Sequence, residues 1–221
     1  MEAVIKIGGS LAANPKTLKS LCNKIGSFGK NHDLSIVPGG SKFADLARYF
    51  DKKFNLTCKT AHKIAILGMD QFGFILKELI PNSHSFQKLD DYKKILNSNK
   101  IPLFMPSQYM FRENPLENSW SITSDSIAAH LAENLKITNI IIITDVDGLF
   151  TQDPKKIPEA TLIKKISPNS LLQFNQETCV DLFLAKLLVI SRIRCFIVNG
   201  MYPKRIEAIL RNQQTTSTLI F

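Results

Sequence analysis

The stretch Val4-Ile5-Lys6-Ile7-Gly8-Gly9-Ser10-Leu11 is an apolar strand with one lysine in it, running into two glycines and a serine. A lysine inside a β-branched run conflicts with its surroundings unless its charge has a partner. The glycines let a ligand approach the backbone closely enough to receive N–H bonds. Lysine plus exposed amides suits a phosphate; a strand-to-helix turn with a snorkelling Lys6 reads the octapeptide equally well. Residues further along the chain decide between the two.

Working outward, Asn14-Pro15 reads as a helix start, with Leu18, Leu21, Cys22 and Ile25 on one face. Asp33 to Pro38 is a second short strand. It ends in Gly39-Gly40-Ser41 and opens a helix with Phe43, Ala44, Leu46, Ala47 and Phe50 as its apolar stripe. A glycine pair thus follows a strand and precedes a helix twice. Two such loops at the carboxyl ends of parallel strands face one crevice, the expected ligand site of an open α/β sheet.

A helix is predicted from Thr60 to Leu79, carrying His62, Met69 and Asp70. His62 and Met69 read as core or helix surface, and Asp70 either as part of a solvated face or as a pocket carboxylate. Asp91 to Asn97 reads as a short helix and Ile101 to Met105 as a strand, with Ser107 to Ser119 a polar loop of a length that often carries function. Trp120, the single tryptophan, closes that loop as a packing residue or as a stacking surface for a flat substrate. Thr123-Ser124-Asp125-Ser126 heads a helix, where Asp125 serves at least as a cap. Asn139 to Thr144 is apolar on both faces, as in the middle of a parallel sheet, and runs into Asp145, Asp147 and Gly148. A helix from about Val180 to Ser191, a strand from Arg194 to Val198, a helix opened by Pro203 and a strand at Thr218 to Phe221 complete the chain. Strands alternate with helices throughout, so the expected fold is α/β: a doubly wound, mainly parallel sheet sandwiched by helices.

The totals agree with a globular protein. Of 221 residues, 44% are hydrophobic and 21% charged, ordinary values for a folded domain. No uncharged apolar run approaches the roughly 20 residues that span a bilayer, and the N-terminus lacks a signal-like pattern, so the expectation is cytoplasmic, with no membrane partner. Cys22, Cys58, Cys179 and Cys195 are widely spaced, with no C-x-x-C pair or clustered histidine, so reduced thiols and no metal site are expected. The net charge of +9 attracts anions. Its lysines are spread out and no nucleic-acid motif interleaves them with aromatics, which favours small anions over nucleic acid.

Four motifs together make the chain resemble the amino acid kinase superfamily, which includes acetylglutamate kinase, UMP kinase and isopentenyl phosphate kinase. They are Lys6-x-Gly8-Gly9-Ser10, Pro38-Gly39-Gly40-Ser41, Thr123-Ser124-Asp125-Ser126-x-Ala128-Ala129, and Thr144-Asp145-Val146-Asp147-Gly148-Leu149-Phe150 ahead of Asp153-Pro154. The resemblance implies an acceptor-binding lobe over residues 1–135 and an ATP-binding lobe over 136–221, on one continuous sheet. It implies that Lys6 holds the moving phosphoryl group and that Asp125 fixes Lys6. Gly8, Gly9 and Ser10 then donate amides to ATP, and Gly39, Gly40 and Ser41 serve the acceptor. Thr144, Asp145, Asp147, Gly148 and Phe150 line the nucleotide pocket, with Mg²⁺ held by phosphate oxygens and water. A homo-oligomer is also implied.

Members acting on carboxylates carry a lysine ahead of the last large helix, where this chain has Asp181 in Thr178-Cys179-Val180-Asp181. UMP kinases also place an aspartate there, which points to a phosphorylated acceptor and leaves Lys186 as a surface lysine. Within the superfamily the chain is most similar to the kinases of [5-(aminomethyl)furan-3-yl]methyl phosphate in methanofuran biosynthesis, through Phe43-Ala44, Ala65-Ile66-x-x-Met69-Asp70, Ser119-Trp120-x-x-Thr123 and Val198-Asn199-Gly200-Met201-Tyr202-Pro203. On that reading Asp70 pairs with the aminomethyl cation, Trp120 or Phe43 packs on the furan, and Asp181 belongs to the substrate side. The alternatives are a UMP or isopentenyl phosphate kinase, with His62 a candidate pocket histidine for the latter, and a non-catalytic ligand-binding member of the fold.

Overall fold

Eight strands form one sheet with helices on both faces in the computed structural model, which describes residues 1–174 and 178–221. In chain order they are β1 (Glu2–Ile7), α1 (Pro15–Phe28), β2 (Asp33–Pro38), α2 (Ser41–Phe54), α3 (Cys58–Leu79), β3 (Ser83–Phe86), α4 (Tyr92–Asn97), β4 (Ile101–Phe104) and α5 (Pro106–Glu113). There follow α6 (Ser124–Leu135), β5 (Asn139–Thr144), β6 (Lys165–Ile166), α7 (Pro168–Leu172), α8 (Leu182–Ser191), β7 (Arg194–Asn199), α9 (Pro203–Leu210) and β8 (Thr218–Ile220). Across the sheet the order is β3-β4-β2-β1-β5-β7-β8-β6, parallel except where β8 runs against β7. The central strand β1 pairs with β2 on one side and β5 on the other, so the chain changes winding direction at β1. Ligand sites of such sheets lie beyond the carboxyl ends of the strands at that point.

Alternation along β1 sends its side chains to two separate cores. Ala3, Ile5 and Ile7 pack with Leu18, Leu21 and Ile25 of α1 and with Ile206 and Ile209 of α9. Val4 points the other way, to Ile127, Ala128 and Leu131 of α6 and to Leu184 and Leu188 of α8. Lys6 shares the Val4 face, so its charge lies under α6.

The two glycine loops interlock. A Cβ at Gly9 would lie 2.2 Å from Ser41 N, and one at Gly39 would lie 2.7 Å from Gly9 N. Only residues without a side chain allow β1 and β2 to end this close together.

Several sequence expectations need correction. The polar stretch after Pro106 is half helix: α5 starts with Pro106 at its first turn, where a missing N–H costs nothing, and stops at Asn114 in the left-handed region with φ 43°. The edge strand β3 and the two-residue β6 were not expected, and neither was α7. The expected apolar stripe of α2 is buried only at Ala47, while Leu46 and Phe50 are 53% and 37% exposed. Among the described residues no helix is long and apolar enough to cross a membrane.

Candidate functional site

Lys6 Nζ lies 2.7 Å from Asp125 Oδ1, and the two side chains are 11% and 5% exposed. Asp125 reaches this position because Thr123 caps α6, its hydroxyl accepting from Asp125 N at 3.3 Å, which sets the aspartate in the first helical turn above β1. The cap is therefore Thr123, and Asp125 is the counter-ion. A buried lysine with its carboxylate is the arrangement that the mid-strand position of Lys6 required. Burial pushes the Asp125 carboxyl above its ordinary value; Lys6 opposes this and the nearby Asp181 adds to it.

The pair opens into a cleft of about 980 Å³. Gly9 and Ser10 form one lip and Gly40 and Ser41 the other, with Lys42, Asp45 and Arg48 of α2 beyond them. Helix starts leave their first N–H groups without intrahelical acceptors. No side chain caps either α2 or the 3₁₀ turn at Gly9–Ala13, so both lips present amides to an anion. Ser41 adopts φ 50°, an uncommon value for a residue with a side chain, at the point where the loops touch.

Of the remaining expected residues, Trp120 lines the cleft. Its Nε1–H donates to Asp51 Oδ2 at 2.7 Å, and the Arg48 guanidinium sits 4.8 Å over its ring. Asp181 also borders the cleft, yet both its oxygens are engaged by protein donors. It caps α8 by accepting from Leu184 N at 2.7 Å, and it accepts from Ser126 Oγ at 2.5 Å and N at 3.2 Å and from Thr123 Oγ1 at 2.6 Å and N at 3.0 Å. This carboxylate ties the starts of α6 and α8 together. Lys186 is exposed.

Asp70 and Phe43 are not among the residues that line the cleft. Asp70 is buried and takes both the N–H, at 3.2 Å, and the hydroxyl of Ser107 at the start of α5. Burial raises its carboxyl and the two Ser107 bonds oppose that. Phe43 packs with the α1 core and lies over Gly68 of α3.

On the β5 side, Asp145 lines the cleft and pairs with Lys155 at 2.5 Å. Burial opposes ionisation there, but Lys155 outweighs it and holds the carboxyl below the usual range. Thr144, Asp147, Gly148 and Phe150 continue away from the cleft wall. Asp147 Oδ1 accepts from Asn199 Nδ2 at 2.9 Å and Arg205 Nη1 at 2.7 Å, Gly148 adopts φ 155°, and Phe150 bridges to Leu162. Sequence reasoning gave no part to Lys155 or Arg205; Lys155 reaches back ten residues to Asp145, and Arg205 joins Asp147 from a segment far along the chain. Cys179 also lines the cleft, but burial pushes its thiol up to about 12, so it is no nucleophile at neutral pH.

The fold, the strand-borne lysine and the paired glycine loops define a member of the amino acid kinase family, whose model matches residues 1–199, and the chain belongs to that family. It is 34% identical over 218 residues to the [5-(aminomethyl)furan-3-yl]methyl phosphate kinase of Methanocaldococcus jannaschii, covering 98% of this chain and 96% of that one. Uridylate kinase of Pyrococcus abyssi is 26% identical, covering 99% of each chain. Among solved structures, uridylate kinase from Archaeoglobus fulgidus superposes with a TM-score of 0.79 at 21% identity, covering 100% of both chains, which supports the fold.

Proposed function

We propose that this protein is an ATP-dependent kinase that transfers the γ-phosphoryl group to a small phosphomonoester, [5-(aminomethyl)furan-3-yl]methyl phosphate, giving its diphosphate. The observation that carries the reading is the buried Lys6–Asp125 pair between two uncapped amide lips. Phosphoryl transfer asks for positioning and charge neutralisation more than for covalent chemistry by the protein. The residues fit two phosphate groups facing each other: Gly9 and Ser10 offer amides on the β1 side, and Ser41 and its successors offer them on the β2 side. Lys6 lies between the lips, placed to hold the negative oxygens of the group in transit. Asp125 keeps the ammonium from swinging away and keeps it charged. Residues 1–135 then hold the acceptor and 136–221 the nucleotide, beside Asp145 and Lys155.

Mg²⁺ supplies further charge neutralisation on the nucleotide phosphates. Among the described residues no three His, Cys, Asp or Glu side chains converge as ligands. An ion that keeps several waters and binds chiefly through substrate phosphates needs no such cage, and Asp145 is the carboxylate at hand on the nucleotide side. Location in the cytoplasm and assembly as a homo-oligomer complete the reading.

A UMP kinase is the second reading, favoured by the uridylate kinase relatives and by Arg48 beside the acceptor lip. A non-catalytic ligand-binding role leaves the costly burial of Lys6 with Asp125 unexplained. Phosphorus NMR with Mg-ATP and a panel of acceptors separates the readings: the aminomethylfuran phosphate, UMP, isopentenyl phosphate and acetylglutamate. A new diphosphate signal with the furan compound is expected. Turnover of UMP in its place overturns the acceptor assignment, and silence across the panel overturns the enzyme.

A further inference from the structure

His62 stands on the first turns of α3, lines the cleft, and is 6% exposed. Its Nδ1 lies 3.2 Å from the Ser119 carbonyl oxygen. A carbonyl oxygen can only accept, so Nδ1 carries the proton and Nε2 keeps a bare lone pair. Burial lowers the basicity of the ring, with the Ser119 carbonyl opposing, so the imidazole is neutral at neutral pH. Nε2 itself is buried and has no hydrogen-bond partner among the described residues. Of the residues that line the cleft with it, Ala65, Ile66 and Met69 carry no side-chain donor, and the N–H of the Trp120 side chain is committed to Asp51. An unpaired buried acceptor is costly, and buried polar groups in folded proteins are overwhelmingly paired. The missing partner is a donor; the His62 ring borders the cleft, and because Nε2 is covered in this structure a donor from the cleft reaches it only when the side chains over it shift.

We propose that His62 Nε2 accepts a hydrogen bond from the primary amine of the acceptor and thereby selects amine-bearing over amine-free phosphate acceptors. The proposal rests on the acceptor class given above, because that acceptor carries an aminomethyl arm opposite its phosphate. It also reassigns a role. Asp70, the residue that the sequence offers for the amine, has its carboxylate on Ser107. A neutral imidazole lone pair gives an alkylammonium group a charge-assisted bond without burying a second full charge. The Trp120 ring, locked between Asp51 and Arg48, is a fixed apolar surface beside it for the furan. A pocket that hydrogen-bonds a substrate group discriminates strongly against an analogue lacking that group, because the pocket group is then left unpaired.

The test measures kcat/KM of the full chain for [5-(aminomethyl)furan-3-yl]methyl phosphate and for its counterpart with methyl in place of aminomethyl. The wild type should prefer the amine compound, and His62→Phe should lower kcat/KM for it by roughly 10- to 100-fold, mainly through KM, while leaving the methyl compound nearly unchanged. Equal losses on both compounds, or no preference in the wild type, overturn the assignment. A variant that fails to fold leaves the decision to nitrogen NMR of the wild type: the His62 Nε2 resonance should move with the amine compound and stay with the methyl one, and an unmoved resonance overturns the assignment. The wild-type rates judge the acceptor class separately. Turnover of UMP with neither furan accepted removes that class, and the amine contact with it, whereas furan turnover with an indifferent His62 removes the contact alone.

Discussion

Replacing Lys6 by methionine removes the charge from the buried pair while roughly keeping the length of the side chain. Asp125 is then fully buried, with Asp181 as its neighbouring carboxylate and no cation against it. Burial already holds its carboxyl above the ordinary value of 3.8, and Lys6 is the largest opposing influence. Without Lys6 the carboxyl rises until it takes up a proton at neutral pH. One pKa unit corresponds to about 1.4 kcal/mol, so lifting a carboxyl to neutrality limits the cost at pH 7 to about 4 kcal/mol. Breaking a buried ion pair by removing one partner costs about 3–5 kcal/mol in general, which agrees. The pH dependence has a definite sign. A carboxyl whose pKa is raised by folding costs nothing while both states are protonated, and the cost grows as pH rises from the unfolded value to the folded one. In the variant that window extends further up than in the wild type. Lys6→Met should therefore match the wild type in urea unfolding at about pH 4 and fall behind it progressively up to about pH 7. Adding Asp125→Asn removes the orphaned charge and should restore most of the stability, while phosphoryl transfer stays at least roughly 100-fold down in both variants. A deficit of equal size at both pH values refutes the electrostatic reasoning, and turnover at the wild-type rate refutes the catalytic one.

Gly9→Ala would put a methyl carbon 2.2 Å from Ser41 N, and since that atom is backbone the loops must part. Thermal unfolding should show a loss of about 1–3 kcal/mol, with turnover falling more steeply than acceptor affinity. Asp181→Asn turns an amide donor towards donors from Thr123, Ser126 or Leu184. Stability should drop by about 1–3 kcal/mol and kcat should fall with the acceptor KM unchanged; a raised KM at full kcat would return Asp181 to the substrate. Asp70→Asn should cost stability by about 1–2 kcal/mol through Ser107 and leave acceptor KM alone. A selective rise of KM for an amine-bearing acceptor would put Asp70 back in the pocket.

The strands legible in the sequence are those whose residues are buried on both faces. β1, β2, β4, β5 and β7 are short, largely apolar runs bounded by turn residues and buried over most of their length, and the short β8 was read from Thr218 to Phe221 in the same way. β3, Ser83-His84-Ser85-Phe86, is an edge strand paired only with β4, so three of its four side chains are free to be polar and leave no pattern. The α2 stripe shows a different limit. Helical spacing reveals that Leu46 and Phe50 share an apolar face, but the spacing is silent on whether anything in the same chain covers it. Lys6, by contrast, was legible because a charge in a buried strand demands a partner. Its partner was not legible from the residues alone, which offered Asp125 only as a helix cap; the pairing with Lys6 was implied by the family resemblance, and the structure shows it.

The α3 wall of the cleft was harder to read. His62, Ile66, Met69 and Asp70 are all buried on the same helix, and each fits equally well as core or as pocket when only spacing is known. What separates them is the set of hydrogen bonds each has already made. Asp70 looked like the chemical group because it carries a charge, yet each of its oxygens already accepts a hydrogen bond from Ser107 inside the fold. His62 looked like a satisfied core histidine, yet only its Nδ1 is answered. A buried group with one polar atom left without a partner by its own chain is a better marker of a ligand contact than one whose polar atoms each have a partner, because the former gains more from a partner that arrives from outside.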